Sequence, residues 1–487
     1  MAFNRTPTED TFSSQEVQLT REITSRDGGA SGKDEDLLNV FIEPVRNKAA
    51  EDKRHFVTKR PGSNQQIASV AAESVRGMFF WPDQNKLFYA VNNDLYVYNV
   101  NTAVSTTLSN VFSTTTGIVG FCLFLYDNNT SVVIATDGTT LNKIDSSNTV
   151  TACADADMPV HQPYPVFLDG YLFVAKAGSA DIYNSNLNDP MLWTSGDFIS
   201  AEMEGDYVTR ITKVNNYLVA MGSSSIEYFW DSGEPSGSPL SRNDTPIKIN
   251  TYLGGFAQYG NILYYIGADE GGSPDVYRLK DFKIDAVGTP TISRYLAVSA
   301  TGTATWNGAI VSGSGHTFYA VNDGGTRTYV FDVDTDLWAR WAFKTNSIFN
   351  VNHAVSIKST TNIYSFFAIS GDSAIYKINA GLYQDAGTTF SCIVTTEADS
   401  FGTLNRKTMS QVAFIGDRPA TDANLLIQWS DDDYQSYNTG VSINLKQDYP
   451  VVRRLGWFRQ RIFKLTFAAN EMFRAQGLEV KINKGRN

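Results

Sequence analysis

Apolar and polar residues alternate along most of this chain, and the alternation is organised into a repeated hairpin. Each copy has a strand rich in β-branched and aromatic residues, a short turn of Gly, Asn or Asp, and a second aromatic-rich strand. A period of two indicates half-buried strands, and turns such as Asp137-Gly138 supply the positive φ that tight hairpins need. The copies begin near Leu87, Val132, Tyr171, Tyr217, Ile262, Thr317 and Ile363.

The spacing of the hairpins predicts the architecture. Successive copies begin 39 to 55 residues apart, close to the roughly 40 to 50 residues of a four-stranded propeller blade. Because one blade cannot bury both of its faces alone, the copies are expected to stack radially around an axis. We therefore predict an all-β fold with a β-propeller of about seven blades over residues 69–384. Six blades remain possible if the first or last hairpin belongs to a terminal domain.

The two ends of the chain differ from the repeat. Residues 1–36 are polar and have few apolar side chains to bury, which favours a flexible N-terminal arm. Residues 37–68 contain a strand near Val40, and residues 385–487 alternate cationic or polar residues with apolar ones. We expect the C-terminal region and the N-terminal strand to form a β-sandwich-like domain together.

Two stretches inside the repeat, residues 231–250 and residues 283–310, are longer than a blade connection requires. Residues 231–250 are rich in Ser, Gly, Pro and Asp, a composition typical of a projecting loop. Its charged candidate residues are Asp231, Glu234, Arg242 and Asp244.

The charge of the chain restricts its relation to nucleic acid. The 487 residues carry a formal net charge of −11, which argues against a protein that grips phosphates, because such binding scales with the number of Lys and Arg contacts. Two interpretations of the acidity stay open. An acidic wall would favour the passage of DNA over its capture, or the charge simply keeps a large protein in solution.

Residue clusters typical of catalysis are missing from the sequence. Three widely spaced cysteines lack a CxxC spacing, which indicates neither a zinc site nor a disulfide framework. The four histidines show no HxH or HExxH spacing, and Asp431-Asp432-Asp433 lacks the spacing of a calcium loop. Trp338 and Trp341 are expected in the core. We predict no catalytic, metal-binding or cofactor-binding residues, and no enzymatic activity.

Targeting signals are also missing. The first residues lack the apolar segment of a secretion signal, and no stretch of 18 or more apolar residues occurs. The protein is therefore expected to be made and folded in a reducing cytoplasm.

Three segments resemble the tail nozzle proteins of short-tailed bacteriophages, also called packaged-DNA stabilisation proteins. The first is Asn39-Val40-Phe41-Ile42-Glu43-Pro44 followed by Lys59-Arg60-Pro61-Gly62, and the second is Gly222-Ser223-Ser224-Ser225-Ile226-Glu227-Tyr228-Phe229. The third is Arg453-Arg454-Leu455-Gly456 with Arg459, Arg461, Phe463 and Leu465. Their order and spacing resemble the family across most of the chain.

The resemblance implies a structural virion protein of the phage tail, assembled in the host cytoplasm. It implies a ring, expected to be a hexamer, below the portal and its adaptor protein, which retains packaged DNA and conducts it during ejection. Partners would be other copies, the portal adaptor, further tail proteins such as a needle, plug, tailspike or fibre, and genomic DNA in transient, non-specific contact. In such a tube, the loop with Asp231, Glu234, Arg242 and Asp244 would narrow the exit.

Four arginines near the C-terminal strand are the candidate contact residues. Guanidinium groups fork onto carboxylates of another chain, and the resemblance places Arg453, Arg454, Arg459 and Arg461 at an intersubunit or adaptor contact. The plainer interpretation is a solvated strand face that discourages edge aggregation.

Two other functions are weighed against the nozzle. One is a propeller used for adhesion or as a scaffold, which would not form a ring. The other is a glycan-acting propeller enzyme, which would need an arginine cluster for a carboxylate and a Tyr nucleophile with a Glu partner. The segment that begins at Trp429 only partly resembles the Asp-box turn of such enzymes and lies outside the repeat.

Overall fold

The structure is a computed structural model that describes residues 13–19, 36–44, 55–127, 129–234, 236–243, 247–248, 251–268, 271–299, 306–345, 348–358 and 363–484. Most of the segment expected as an N-terminal arm, and the candidate loop residue Asp244, lie outside these residues.

Five strands precede the hairpin repeat. They are β1 (Ser13–Gln18), β2 (Asp36–Leu38), β3 (Val40–Pro44), β4 (His55–Lys59) and β5 (Gly62–Ile67). The segment expected as a flexible arm thus contains a strand, β1, whose Val17 is buried.

The strands of the repeat follow in groups. The first three groups are β6 (Gly77–Trp81), β7 (Lys86–Val91), β8 (Asp94–Asn99) and β9 (Val104–Leu108); β10 (Gly120–Leu125), β11 (Ser131–Thr136), β12 (Leu141–Ile144) and β13 (Val150–Ala152); and β14 (Val166–Leu168), β15 (Tyr171–Ala175), β16 (Asp181–Asn186) and β17 (Asp189–Ser200). A short 3₁₀ helix, Pro82–Gln84, lies between β6 and β7.

The next two groups contain β18 (Arg210–Val214), β19 (Tyr217–Met221), β20 (Ser225–Asp231), β21 (Leu240–Arg242) and β22 (Ile247–Lys248), then β23 (Thr251–Tyr259), β24 (Ile262–Ala268), β25 (Pro274–Lys280) and β26 (Lys283–Ala286). After helix α1 (Pro290–Ser299) come β27 (Asn307–Gly313), β28 (His316–Asn322), β29 (Thr328–Asp332) and β30 (Leu337–Trp341), then β31 (Val351–Lys358), β32 (Ile363–Ile369) and β33 (Ile375–Asn379).

The C-terminal strands are β34 (Gln384–Asp385), β35 (Thr388–Thr389), β36 (Cys392–Thr395), β37 (Lys407–Gly416), β38 (Asn424–Ser430), β39 (Val441–Asn444), β40 (Val451–Phe458), β41 (Ile462–Phe467) and β42 (Arg474–Lys484).

The chain divides into two compact bodies. The terminal body contains Met1–Asn64, Arg327–Phe349 and Asn379–Asn487, and the propeller body contains Gln65–Thr326 and Asn350–Ile378. Strands β29 and β30 therefore belong to the terminal body, whereas the sequence analysis placed them in the propeller domain.

Five sheets of the propeller body are antiparallel and built from strands that are consecutive in the chain. The four-stranded orders are β6-β7-β8-β9, β10-β11-β12-β13, β14-β15-β16-β17 and β23-β24-β25-β26, and β18-β19-β20-β21 is joined by β22. The last group, β31-β32-β33, takes β5 as its neighbour, so an early strand completes the last blade. The predicted β-propeller is confirmed.

Apolar clusters between neighbouring sheets hold the blades together. Phe88 of the first blade packs with Val133 of the second, and Leu218 of the fourth blade packs with Phe173 of the third. Leu87 packs in one cluster with Phe366 of the last blade, which closes the circle. The first strand of each hairpin thus buries both of its faces, which explains the near-continuous apolar run in that strand.

The terminal body is a sandwich of two sheets over one core. One sheet has the order β3-β4-β42-β37-β40, with β1 paired to β42, and the other contains the run β2-β36-β41-β38-β39. Val412 and Val480 of the first sheet pack with Leu425 and Phe463 of the second, and all four are fully buried or nearly so. The predicted β-sandwich with an N-terminal contribution is confirmed.

Residues 231–250 differ from the predicted projecting loop. Leu240–Arg242 and Ile247–Lys248 both pair antiparallel with β20. A blade edge needs only a few residues of extended backbone to satisfy the hydrogen-bonding groups of the strand beside it, and the turn-rich composition concealed this short pairing.

Candidate functional site

The arginine-rich strand β40 forms an edge of the terminal sheet. Among the described residues, it pairs with β37 alone. The register shifts between Met409 and Gln411, and Arg454 adopts a φ of 64° at this bulge. A regular strand would turn two consecutive side chains to opposite faces, but here Arg453 and Arg454 are both exposed.

An exposed tryptophan lies on the same strand. Trp457 is 57% exposed, and the guanidinium of Arg406 lies 5.0 Å from its ring centroid. Arg459 is also exposed and donates a hydrogen bond to the carbonyl of Leu404 at 2.8 Å. We call Arg406, Arg453, Arg454, Trp457 and Arg459 the arginine patch. Within the described part of the chain, no carboxylate pairs with its arginines.

A buried lysine fixes the backbone beneath the arginine patch. Lys407 is fully buried, and its Nζ donates hydrogen bonds to the carbonyls of Thr403, Asn405 and Arg459 at 2.5, 3.0 and 2.6 Å. These bonds tie the loop that carries Arg406 to the end of β40. One buried side chain therefore holds together the backbone segments that carry Arg406 and Arg459.

Arg461 is placed differently from the other three candidate arginines. Its side chain is 1% exposed and donates two hydrogen bonds of 2.7 Å to the carboxylate of Asp431. Its guanidinium also lies 4.3 Å from the ring centroid of Phe458. The expectation that Arg461 contacts another chain is therefore corrected: Arg461 lies just before β41, in an isolated bridge with Asp399, and a carboxylate of the same body accepts its hydrogen bonds.

The basic turn Lys59-Arg60-Pro61-Gly62 is also internal. Arg60 makes a bidentate hydrogen bond to Asp385, with both side chains buried, and stacks 3.8 Å from the ring centroid of Phe390. Burial lowers the pKa of the neighbouring Lys59 to about 8, and its Nζ donates to the carbonyl of Ala469. This motif holds the terminal body together and offers no surface.

The segment that resembles the family most specifically, residues 222–229, contains a buried carboxylate. Burial raises the pKa of Glu227, although Arg242 Nε lies 3.0 Å from its Oε2. Glu227 also accepts a hydrogen bond from the backbone N–H of Met203 at 3.0 Å. Arg242, expected in a projecting loop, is thus an internal partner within the blade. Asp231 ends β20 half-buried, and Glu234 is exposed.

An acidic segment crosses the surface beside Glu227. We call residues 197–207 the acidic rim, because they include four carboxylates and no Lys or Arg. Asp206 accepts hydrogen bonds from the Ser224 N–H and the Ser225 hydroxyl at 2.7 and 3.0 Å, which anchors the rim to the fourth blade. Its exposed apolar side chains are Phe198, Met203 and Tyr207.

An arginine and a histidine from different blades lie close together in the propeller body. Arg210, at the start of β18, has its guanidinium 3.7 Å from the ring centroid of Tyr164 and 3.9 Å from that of Phe256. Burial lowers the pKa of His353, at the start of the last blade, to about 4, and the charge of Arg210 adds to this effect. Since these residues come from the fourth and last blades, Arg210 lies near the axis.

A polar cavity of about 650 Å³ opens beside His353. Arg76 also lines it, but this guanidinium donates to the carbonyls of Asn92, Thr114, Thr116 and Gly117. An arginine with its donors committed to backbone carbonyls is not available to hold a substrate carboxylate. Among the described residues that line the cavity, none is the free arginine that the glycan-acting alternative requires.

The remaining candidates for chemistry have structural partners. Asp432 accepts hydrogen bonds from Ser436 and Ser430, which lower its pKa to about 2 and close a turn. His161 is buried between Thr136 Oγ1 and the carbonyl of Pro159. Trp341 is buried and donates to the carbonyl of Val40. Within the described residues, no helix has the length and apolar character needed to cross a membrane.

Reasoning from sequence missed Trp457, Arg406 and the acidic rim. Trp457 follows Gly456 directly inside the arginine-rich strand, and this was a usable signal. The rim was visible as four acidic residues in the stretch Asp197 to Tyr207, but nothing local shows that this stretch lies on the surface.

Solved structures with a similar fold were found by comparison of the coordinates. They include virginiamycin B lyase from Staphylococcus aureus (TM-score 0.45, 14% identity, 66% of this chain and 99% of that chain). The Pan2 WD40 domain from Neurospora crassa has a TM-score of 0.41 and 9% identity over 67% of this chain and 96% of that chain. The N-terminal domain of Nup159 has a TM-score of 0.39 and 11% identity over 71% of this chain and 100% of that chain.

No curated protein matches the sequence. A family model described as bacteriophage P22 Gp10, beta-propeller, matches residues 37–343, which is more than half of the chain. The matched region includes strands β3 to β5, the buried Arg60 turn and residues 222–229. The chain therefore belongs to the phage stabilisation family of bacteriophage P22 Gp10 β-propeller proteins, and is a structural component of a phage.

Proposed function

We propose that this protein forms the nozzle of a short phage tail. Several copies would assemble into a ring, expected to be a hexamer, below the portal and its adaptor protein. The ring would retain packaged DNA and conduct it during ejection, without enzymatic activity. Family membership supports this proposal most directly.

The described surfaces are consistent with an assembly role. The arginine patch combines arginines that have no carboxylate partner among the described residues with an exposed tryptophan, and Arg and Trp are the residue types that most often dominate binding at interfaces. Arg453, Arg454 and Arg459 thus remain candidates for an intersubunit or adaptor contact. Glu234 remains the exposed candidate near the tube exit.

The charge of the chain supports conduction over capture. A net charge of −11 disfavours persistent contact with phosphates, and the cationic side chains of the Arg60 turn are buried. DNA in a lumen formed by such chains would meet few groups able to hold it, so its contacts with the wall would be transient.

The proposal is tested in a phage that lacks a functional copy of the gene. We expect particles that package DNA but lose it, measured as genome that becomes accessible to nuclease after packaging, and rescue when the intact protein is supplied. Electron microscopy of rescued particles should show a ring below the portal. Particles that keep their DNA and fail only to adsorb to cells would contradict the proposal and favour the adhesion alternative.

A further inference from the structure

Two surface features of this chain have opposite charge. The arginine patch, on the terminal body, has four exposed arginines on or beside the strand that carries Trp457, and Arg406 lies over the Trp457 ring. The acidic rim, on the propeller body, carries the carboxylates of Asp197 and Glu202 in the same segment as the exposed side chains of Phe198, Met203 and Tyr207. Each feature therefore joins charged groups to apolar area, the composition of a specific protein contact.

Both features are preformed by internal bonds. Lys407 ties the loop of Arg406 to the end of β40 through three carbonyls. Asp206 and Met203 tie the acidic rim to the fourth blade through Ser224 and Glu227. Surfaces that are already ordered lose less conformational entropy on binding, which favours association.

We propose that the arginine patch of one copy binds the acidic rim of a second copy. This inference rests on the proposed function and names the contact from which the ring is built. Charge complementarity between the two surfaces identifies the occupant: an arginine patch on a chain of net charge −11 is matched by carboxylates that the same chain provides.

The contact is heterologous, since two unlike surfaces meet. A contact of this kind repeats from copy to copy and closes into a ring when the rotation between copies permits. Duplex DNA is the competing occupant of the arginine patch, because guanidinium groups also bind phosphates. The bulged strand and the apolar area around Trp457 favour a protein surface.

The experiment uses two charge-reversed forms of the full chain. The patch variant carries Arg453→Glu and Arg454→Glu, and the rim variant carries Asp197→Lys and Glu202→Lys. Each variant brings like charges together in every contact, so its self-association should weaken by at least about tenfold relative to the natural protein. An equimolar mixture restores opposite charges in both kinds of contact and should form alternating assemblies again.

A matched control variant makes the same change in net charge at surface positions outside the arginine patch. Arg418→Glu with Lys446→Glu alters the net charge as much as the patch variant, at exposed positions outside the arginine patch, and should assemble like the natural protein. Assembly is measured by sedimentation velocity and mass photometry over a range of concentrations, and circular dichroism checks that each variant is folded.

The outcomes separate this inference from the proposed function. If the natural protein forms a ring and both reversed variants form it equally well, the assigned contact is wrong while the nozzle stands. If the variants assemble normally but the patch variant loses binding to a short DNA duplex, the arginine patch is a phosphate site and this inference is overturned. A natural protein that never assembles, alone or with portal and adaptor proteins, overturns both.

Discussion

Arg60 and Asp385 form a bidentate, fully buried ion pair although 325 positions separate them in the sequence. The pair joins the turn after β4 to the short strand β34. Arg60 also donates to the carbonyls of Pro61 and Ala342 and to Asn39 Oδ1. One side chain thus connects four segments of the terminal body.

Removal of one partner of this pair should unfold the terminal body readily. Asp385→Ala leaves a buried guanidinium without its counter-charge, and we expect a loss of about 3 to 5 kcal/mol in the free energy of unfolding. Chemical denaturation followed by tryptophan fluorescence measures this loss. The double variant Arg60→Met/Asp385→Leu removes both charges and should be less destabilised than Asp385→Ala. An Asp385→Ala protein as stable as the natural one would contradict the role of the pair.

The glycine after Pro61 should not tolerate a side chain. A Cβ at Gly62 would lie 2.2 Å from the carbonyl oxygen of Gln384, so Gly62→Ala must displace backbone and should cost roughly 1 to 3 kcal/mol. Thermal melting measures the effect. Gly196→Ala is the matched control, since nothing lies within 4 Å of its added Cβ, and its melting temperature should hardly change. Equal behaviour of the two variants would refute the steric argument.

The buried Arg461 should act on stability and not on assembly. Arg461→Ala leaves Asp431 unpaired and a void beside Phe458, so we expect about 3 kcal/mol of destabilisation. Arg453→Ala, on the exposed face of β40, should change stability by less than about 0.5 kcal/mol. Urea denaturation of both variants checks the contrast. A stable Arg461→Ala protein with altered assembly would restore the sequence-based assignment of this residue.

His353 should make the propeller body sensitive to acid. Its pKa is about 4 in the folded protein, against an ordinary value of 6.5, so the unfolded chain binds the additional proton first as pH falls. The contribution of His353 to stability is present above pH 6.5 and is lost between pH 6.5 and 4, by up to about 3 kcal/mol. His353→Gln removes this titration, and its denaturation midpoint should vary less across that range. Parallel pH profiles for the two proteins would rule out the effect.

The propeller could be predicted because its signal is local and repeated. Each hairpin, such as the one that begins at Leu87, carries its alternation and its turn within a few residues, and these determine strand pairing directly. The last blade is different. Its fourth strand, β5, is distant in the sequence, and no local pattern in Gly62–Ile67 indicates where it will pair.

The exposed candidate residues were harder to assign, because the direction of each side chain depends on the bulge in β40 and on which strands pair with each other. Arg453 and Arg461 belong to similar arginine-rich sequence, yet Arg453 is exposed beside the shifted register of β40, while Arg461 is buried just before β41 by its bridge to Asp399 and its ion pair with Asp431. The helix α1 was missed for a related reason. Among the helix side chains whose burial is described, only Ile292 and Leu296 are buried, too few positions for a period of 3.6 to stand out in a turn-rich stretch.

The Arg210 guanidinium lies between the rings of Tyr164 and Phe256. This packing bears on whether DNA passes through a single propeller. The guanidinium of Arg210 fills the space between the two rings near the axis of the propeller body. Under the proposed function, DNA would therefore pass through a lumen that several subunits surround. The number and tilt of the subunits would set the width of that lumen. A substitution that weakens the interfaces between copies would then change the passage of DNA, although the core of each subunit stays intact.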